Sequence, residues 1–378
     1  MNKIKNFRQG GNITMKYFGP VLLAITVALG GVSAASAQEK LPANLANDPV
    51  AKALGAKIIN AAIKEGVVNW YGTSTTRRFL KKTKSGKKFE KRFGIKVQAV
   101  TGRTRAMADR IRTESAVGKL VADVFDGNEQ YMFELQELDI LVKWRPPAPE
   151  IANLMQWAFV KTPKGYWWPM HVSAQALIVN TDMIKPSEYP KSYWDIVDPK
   201  WKGKVAIRDP RAASGGAWMM LGIYSQPGLG LDYIKKLYKT VNPFIIRGGS
   251  RKMRDAIATG QFAIGFSGRG EFIRDLPKGT PIAYVVPKEG MTWTGSGIAL
   301  LNGAKNPNAG KLLMTWIFEL KNLQGWNDQS RPVPHPKIKP LIPEMSITAY
   351  PLMNKVPDKS LAKPNFFFKE MEKVFGIR

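Results

Sequence analysis

The stretch GVVNWYGTSTTRRFLKKTKSGKKFEKRFGIKVQAVTG, residues 66–102, decides the fold. VVNWYGTS (67–74) is an apolar run of strand length that closes in a polar turn, and IKVQAV (95–100) is a second such run. The residues between them are dense in cations around a sparse apolar set, the pattern of a helix with one solvated face. A strand, a helix and a strand in this order form a β-α-β unit, whose crossover makes its two strands parallel.

The pattern continues on both sides. Upstream, ANDPVAKALGAKIINAAIKEG (46–66) has apolar residues at helical spacing and stops at Gly66. Downstream, TGRTRAMADRIRTESAVG (101–118) reads as a helix, VADVFDGN (121–128) as a third strand and EQYMFELQELDIL (129–141) as the helix after it. The order β-α-β-α-β predicts a parallel sheet whose ligand-facing loops follow the strand C-termini, at Gly72–Thr75, Thr101–Thr104 and Asp126–Asn128.

A second unit repeats the plan. YWWPMHVSAQALIVNTDMI (166–184) holds a continuous apolar strand, VAIRDPRAASGGAW (205–218) is strand then helix, FIIRGGSRKMRDAIATGQ (244–261) is strand, glycine-rich turn and helix, and FAIGFSGRGEFIRDL (262–276) is a strand with a polar end. Leu313, Trp316, Ile317 and Leu320 then mark a helix that needs the first core. The expected lobes are therefore discontinuous, residues 38–165 with 290–378 forming one and 166–289 the other. RPVPHPKIKPLIP (331–343) reads as a surface connection, and NFFFKEMEKVFG (365–376) as a terminal helix docked through Phe367, Met371 and Phe375.

Composition removes several function classes. With 378 residues and 44% hydrophobic content, the chain has enough apolar surface for two ordinary cores. It has no cysteine, which excludes disulfides, thiolate metal sites and cysteine nucleophiles, and only His171 and His335 as imidazoles, both read as structural. The N-terminus reads as a signal peptide: Lys3, Lys5, Arg8 and Lys16, then the apolar VLLAITVALGGVSA, then a small-x-small site with cleavage after Ala37. Met15 offers a second start. Cleavage removes those four cations and no acid, so the net charge of +28 becomes +24. Fourteen Lys and Arg fall between Arg77 and Arg112 against Glu90 and Asp109, but no helix-turn-helix, zinc-finger, RNP or KH signature accompanies them. The charge is read as a field that steers anions or an acidic surface toward the protein, with no nucleic-acid partner.

Together, VVNWYGTS, FGIKVQAVTG, ADVFDGN, LIVNTDMI, YPKSYWDIVDPKWKGKVAIRDPRAASGGAW and GSRKMRDAIATGQFAIGFS resemble the periplasmic solute-binding proteins of ABC importers. The ferric-iron-type group, which also takes phosphonates, sugar phosphates and other small anions, is the nearest likeness. The resemblance implies an α/β, two-lobed fold of the type II periplasmic-binding-protein class, with a hinge and a cleft between discontinuous lobes. It also implies a permease and an ATPase as partners on other chains, and a periplasmic location. No cofactor, no metal site and no enzymatic activity are expected, and a monomer is. Ferric members carry tandem tyrosines after the strand that here reads FAIGF, and often an acidic ligand after the ADVF strand. This sequence has Ser267, Gly268 and Arg269 at the first place and Asn128 at the second. A guanidinium repels a trivalent cation and pairs with phosphate, phosphonate or carboxylate oxygens.

The expected ligand is thus a small anion, with ferric iron or an iron chelate as the alternative and an exported enzyme on the same fold as a remote one. On this reading Ser214, Gly215 and Gly216 open a helix whose bare amides meet an oxyanion. Arg247 and Ser250, in RGGS, repeat the device on the next strand. Arg269 clamps the same anion, Thr73, Ser74 and Thr101 supply hydroxyls from the opposite lobe with Asn128, Trp293 flanks the cleft and Tyr71 lines it. Asp126 and Asp209 are the obvious loop carboxylates and are read as turn formers, with no acid-base pair or nucleophile elbow beside them.

Overall fold

The computed structural model describes residues 39–155, 164–211, 215–268, 279–329, 331–341, 343, 346–347, 351–353 and 365–376. The expected signal peptide, Ser214 and Arg269 lie outside the described residues. Local chemistry explains where the helices break. The single helix predicted upstream of Gly66 is two, Pro49–Leu54 and Ala56–Glu65. Asp48 caps the first by accepting from the amides of Val50 and Ala51, and Gly55 turns between them at φ +80°. The basic helix is also two, Ser74–Thr83 and Ser85–Phe93, because Lys84 takes a left-handed conformation at φ +53°.

Among the described residues, nine strands follow in chain order: β1 (Val67–Thr73), β2 (Lys96–Gly102), β3 (Val124–Asn128), β4 (Trp168–Asn180), β5 (Val205–Arg208), β6 (Phe244–Ile246), β7 (Ile264–Gly268), β8 (Ile282–Val285) and β9 (Thr292–Leu300). They form one path, β2-β1-β3-β9-β4-β7-β5-β6, with β8 also paired to β4. Two groups are parallel as predicted, β2-β1-β3 and β6-β5-β7. The whole sheet is mixed, however, because β9 meets both β3 and β4 antiparallel and β4 meets β7 and β8 antiparallel. Long β4 is shared: Trp168–Gln175 pair with β9, and Ala176–Asn180 pair with β7 and β8.

Each parallel group packs on its own apolar core. In the first, Trp70, Phe79, Phe89 and Phe93 meet Trp316 and Trp326, so the helix Pro307–Ile317 returns to the first unit as its Leu313, Trp316 and Ile317 predict. In the second, Tyr193, Tyr233, Leu237 and Phe266 meet Phe367, Met371 and Phe375. The helix Asn365–Phe375 therefore docks through the three predicted residues but on the second core, which corrects its placement with the first lobe. Phe375 lies edge-on to Tyr238, with ring centroids 5.2 Å apart, and Arg211 donates to the carbonyls of Phe375 and Gly376 while pairing with Asp209 at 2.9 Å.

A further correction concerns RPVPHP. Residues 331–335 are buried, not a surface connection. The amide of Val172 on β4 donates to the carbonyl of Pro332, and His335 Nε2 lies 2.6 Å from Glu150 Oε2. Prolines bring no amide donors to be orphaned, so a proline-rich segment is buried at low polar cost.

Candidate functional site

The strand register defines a gap. Asn128, the last residue of β3, is opposite Ser296 of β9, which is opposite His171 of β4. Gly268, the last residue of β7, is opposite Ala176 of β4. Two antiparallel steps make β3 run with β4, whereas β7 runs against it. The C-terminal ends of the two parallel groups therefore face one another, with Val172–Gln175 of β4 between them. At about 3.3 Å per residue, His171 to Ala176 spans roughly 17 Å. Register shifts at Pro169/His171 and at Ala176/Leu177 flank the gap on either side. In open α/β sheets, ligands bind outside strand C-termini, and here two such edges converge.

On the first edge, Thr73 ends β1 and caps the helix Ser74–Thr83. Its Oγ1 accepts from the amides of Thr75 and Thr76, and its own amide donates to Thr76 Oγ1 at 2.9 Å. Ser74 is exposed; Thr101, paired with Gly72, lies on the edge strand β2. The side chain of Asn128 lies 3.3 Å from Ser296 Oγ. Beneath them Asp126 is fully buried. It accepts from Trp70 Nε1 at 2.8 Å and Thr76 Oγ1 at 2.6 Å, and burial pushes its carboxyl up to about 7 against the pull of those hydrogen bonds. Gly72 makes room for it, since a Cβ there would lie 2.4 Å from Asp126 Oδ1.

On the second edge, Arg208 pairs in register with Ile246, and Ile207 with Phe266, so the C-terminal ends of β5, β6 and β7 lie side by side and the described residues that follow β5 and β6 emerge together. They include exposed Arg247 and the glycines that begin the helix Gly215–Tyr224. Ser250 begins the helix Ser250–Ala258. Gly216 has a packing reason for its identity: a Cβ would fall 2.4 Å from Arg208 Cβ and 2.7 Å from the Arg208 carbonyl oxygen.

Two predicted contributors are core residues. Tyr71 is fully buried, and its hydroxyl donates to Glu114 at 2.8 Å. Burial, with Glu114 beside it, raises its pKa to about 12. Trp293 lies opposite Ala174, but its indole packs with Met291 and Ile347 and donates to the Met353 carbonyl at 2.8 Å. Large aromatic surface here is worth more inside than on a cleft wall. Both loop carboxylates are structural, Asp126 in its hydrogen-bonded cage and Asp209 paired with Arg211.

Residues 84–351 match the family described as bacterial extracellular solute-binding protein. The chain belongs to that family. A Haemophilus influenzae relative named "Uncharacterized protein" is 28% identical over 186 residues, which are 48% of this chain and 49% of the relative. The chain spans less than half the length of the curated relatives it matches. Among solved structures, ferric iron-binding protein A of Mannheimia haemolytica in an open conformation is similar at TM-score 0.66 and 18% identity, over 83% of this chain and 100% of that one. AfuA of Actinobacillus pleuropneumoniae, with fructose-6-phosphate bound, is similar at TM-score 0.64 and 20% identity, again over 83% and 100%. At these identities the likeness is one of fold, the two-lobed α/β fold of type II periplasmic binding proteins.

This solute-binding protein has a gap residue that its sequence pattern conceals. Arg331 is buried, donates through Nε and Nη2 to Thr75 Oγ1 at 3.0 and 2.6 Å, and reaches Ser173 Oγ through Nη1 at 3.4 Å. It joins the first turn of the helix Ser74–Thr83 to the middle of the gap in β4. The only sequence signal is an arginine at the head of a proline-rich run, which periodicity does not read. Glu129 is a second such residue, its Oε1 accepting from the amide of Gly295 on β9 at 3.0 Å.

Proposed function

We propose that this chain is the periplasmic binding component of an ABC importer, exported by a signal peptide cleaved after Ala37, that captures a small anion between the facing strand ends. The expected ligand is a phosphonate, an organophosphate or a carboxylate. Residues on both edges close on it about a hinge formed by β4 and β9, and the loaded protein delivers it to a permease driven by an ATPase. Capture without chemistry is the reading, in keeping with a family of binding proteins. The observation that carries it is the placement of Arg331: a buried guanidinium and the positive end of a helix converge at the first edge of the gap. Ser214, Gly215, Gly216, Arg247 and Arg269 supply amides and cations from the second edge, with Arg269 standing where ferric members have phenolates. Ferric iron or an iron chelate, the cargo named for the Mannheimia neighbour, is the alternative.

Calorimetric titration of phosphonates, sugar phosphates, carboxylates and ferric citrate decides between them. Wild type binds one anion class tightly, and Arg331→Lys and Arg269→Ala each weaken it, the latter by about 2 to 5 kcal/mol, as expected when one partner of a buried charge pair is removed. Melting curves control for folding. Tight binding of ferric ion alone replaces this reading with the iron one, and undiminished anion affinity in both variants overturns the assignment of Arg331 and Arg269 to the site.

A further inference from the structure

The helices Ser74–Thr83 and Ser85–Phe93 bury Phe79, Phe89 and Phe93 in the first core. Arg77 and Lys81 stand two positions either side of Phe79, and Lys87 and Lys91 two either side of Phe89. At 3.6 residues per turn, that places all four on the faces turned away from the core. Lys82, Lys84 and Lys88 extend the same surface, and all seven cations are exposed. Glu90 is the one acid in these two helices. Arg92 is engaged by Asp48 and Glu319, but none of the seven makes an ion pair among the described residues. No large apolar side chain is exposed among residues 74–93. The cations begin a turn beyond the end of the helix that faces the gap, so a partner seated on them leaves the gap open.

We propose that this lysine face docks the protein on an anionic lipid bilayer, holding it peripherally on the headgroups. Six of the seven cations are lysines, compact point charges on flexible stems that suit a diffuse, fluid array of phosphates. An interface with one acidic protein favours arginine and aromatic anchors and is depleted of lysine, the opposite of this face. Without an apolar anchor the attachment is electrostatic and reversible, and it concentrates the protein in a layer about a Debye length thick.

The test is co-sedimentation with phosphatidylcholine vesicles containing about one-third phosphatidylglycerol, against pure phosphatidylcholine, at low and high salt. Wild type pellets only with the anionic vesicles and is released by salt. The triple variant Lys81→Glu, Lys84→Glu, Lys88→Glu binds them at least about tenfold more weakly. A second triple variant, Lys202→Glu, Lys235→Glu, Lys239→Glu, has the same net charge altered at exposed positions elsewhere and stays close to wild type. Equal melting temperatures show that all three proteins are folded. Failure of wild type to pellet, or equal losses in the two triple variants, overturns the proposal. Binding of wild type to soluble polyglutamate but not to the vesicles also overturns it and points to an acidic protein instead.

Discussion

Asp126 shows how a single buried residue links the fold to pH. Burial holds its carboxyl at about 7, above the ordinary 3.8, in spite of donors from Thr76 and Trp70. Between those values the folded protein keeps a proton that the unfolded chain releases. Its stabilising contribution is therefore fully present below about pH 4 and is lost as the pH rises through 7. Asp126→Asn keeps an acceptor for both donors and has no proton to lose. Its melting temperature should fall less than that of wild type between about pH 4 and 7 and lie above it at higher pH. Parallel melting profiles for the two proteins across that range would contradict this account.

At the scale of elements, the start of the helix Gly215–Tyr224 lies hard against the end of β5. Gly216→Ala places a Cβ 2.4 Å from Arg208 Cβ, with backbone as the next neighbour, so relief by side-chain motion is limited. The expected cost is about 1 to 3 kcal/mol. Gly86→Ala, where the nearest atom is 3.7 Å away, is the control and should be neutral or slightly stabilising in thermal melts. Equal melting temperatures for the two variants would remove the packing reason for Gly216. The strands and most helices were legible in the sequence because apolar runs and helical spacing record which faces are buried, as at VVNWYGTS and around Leu313 and Trp316. WDIVDPKWKGK was legible for a different reason. Ser192, Asp195 and Asp198 cap successive tight turns, and the Trp201 indole donates to the Asp195 carbonyl, so that signature records a scaffold leading into β5. The mixed sheet was not legible, because strand direction is decided by pairing partners far apart in the chain. Nor was Arg331, whose burial depends on hydroxyls at Thr75 and Ser173, some 256 and 158 residues away.

For the whole molecule, the net charge of +28, or +24 once residues 1–37 are removed, gives an anionic ligand a long-range attraction. Its association rate should fall as ionic strength rises, while dissociation from the closed gap changes less, as stopped-flow measurements would resolve. X-ray scattering should show compaction when the same ligand saturates the protein; a flat rate and an unchanged radius of gyration would together argue against a closing, anion-selective gap. The β4–β9 pair also sets an order in time. β3 lies between β1 and β9, so its far side stays open until residues 292–300 exist, and the first core waits longer still for Trp316 and Trp326. Pairings this distant close late in folding. A nascent chain accordingly leaves both cores incomplete until Trp316 and Trp326 have been made for the first and Phe367, Met371 and Phe375 for the second.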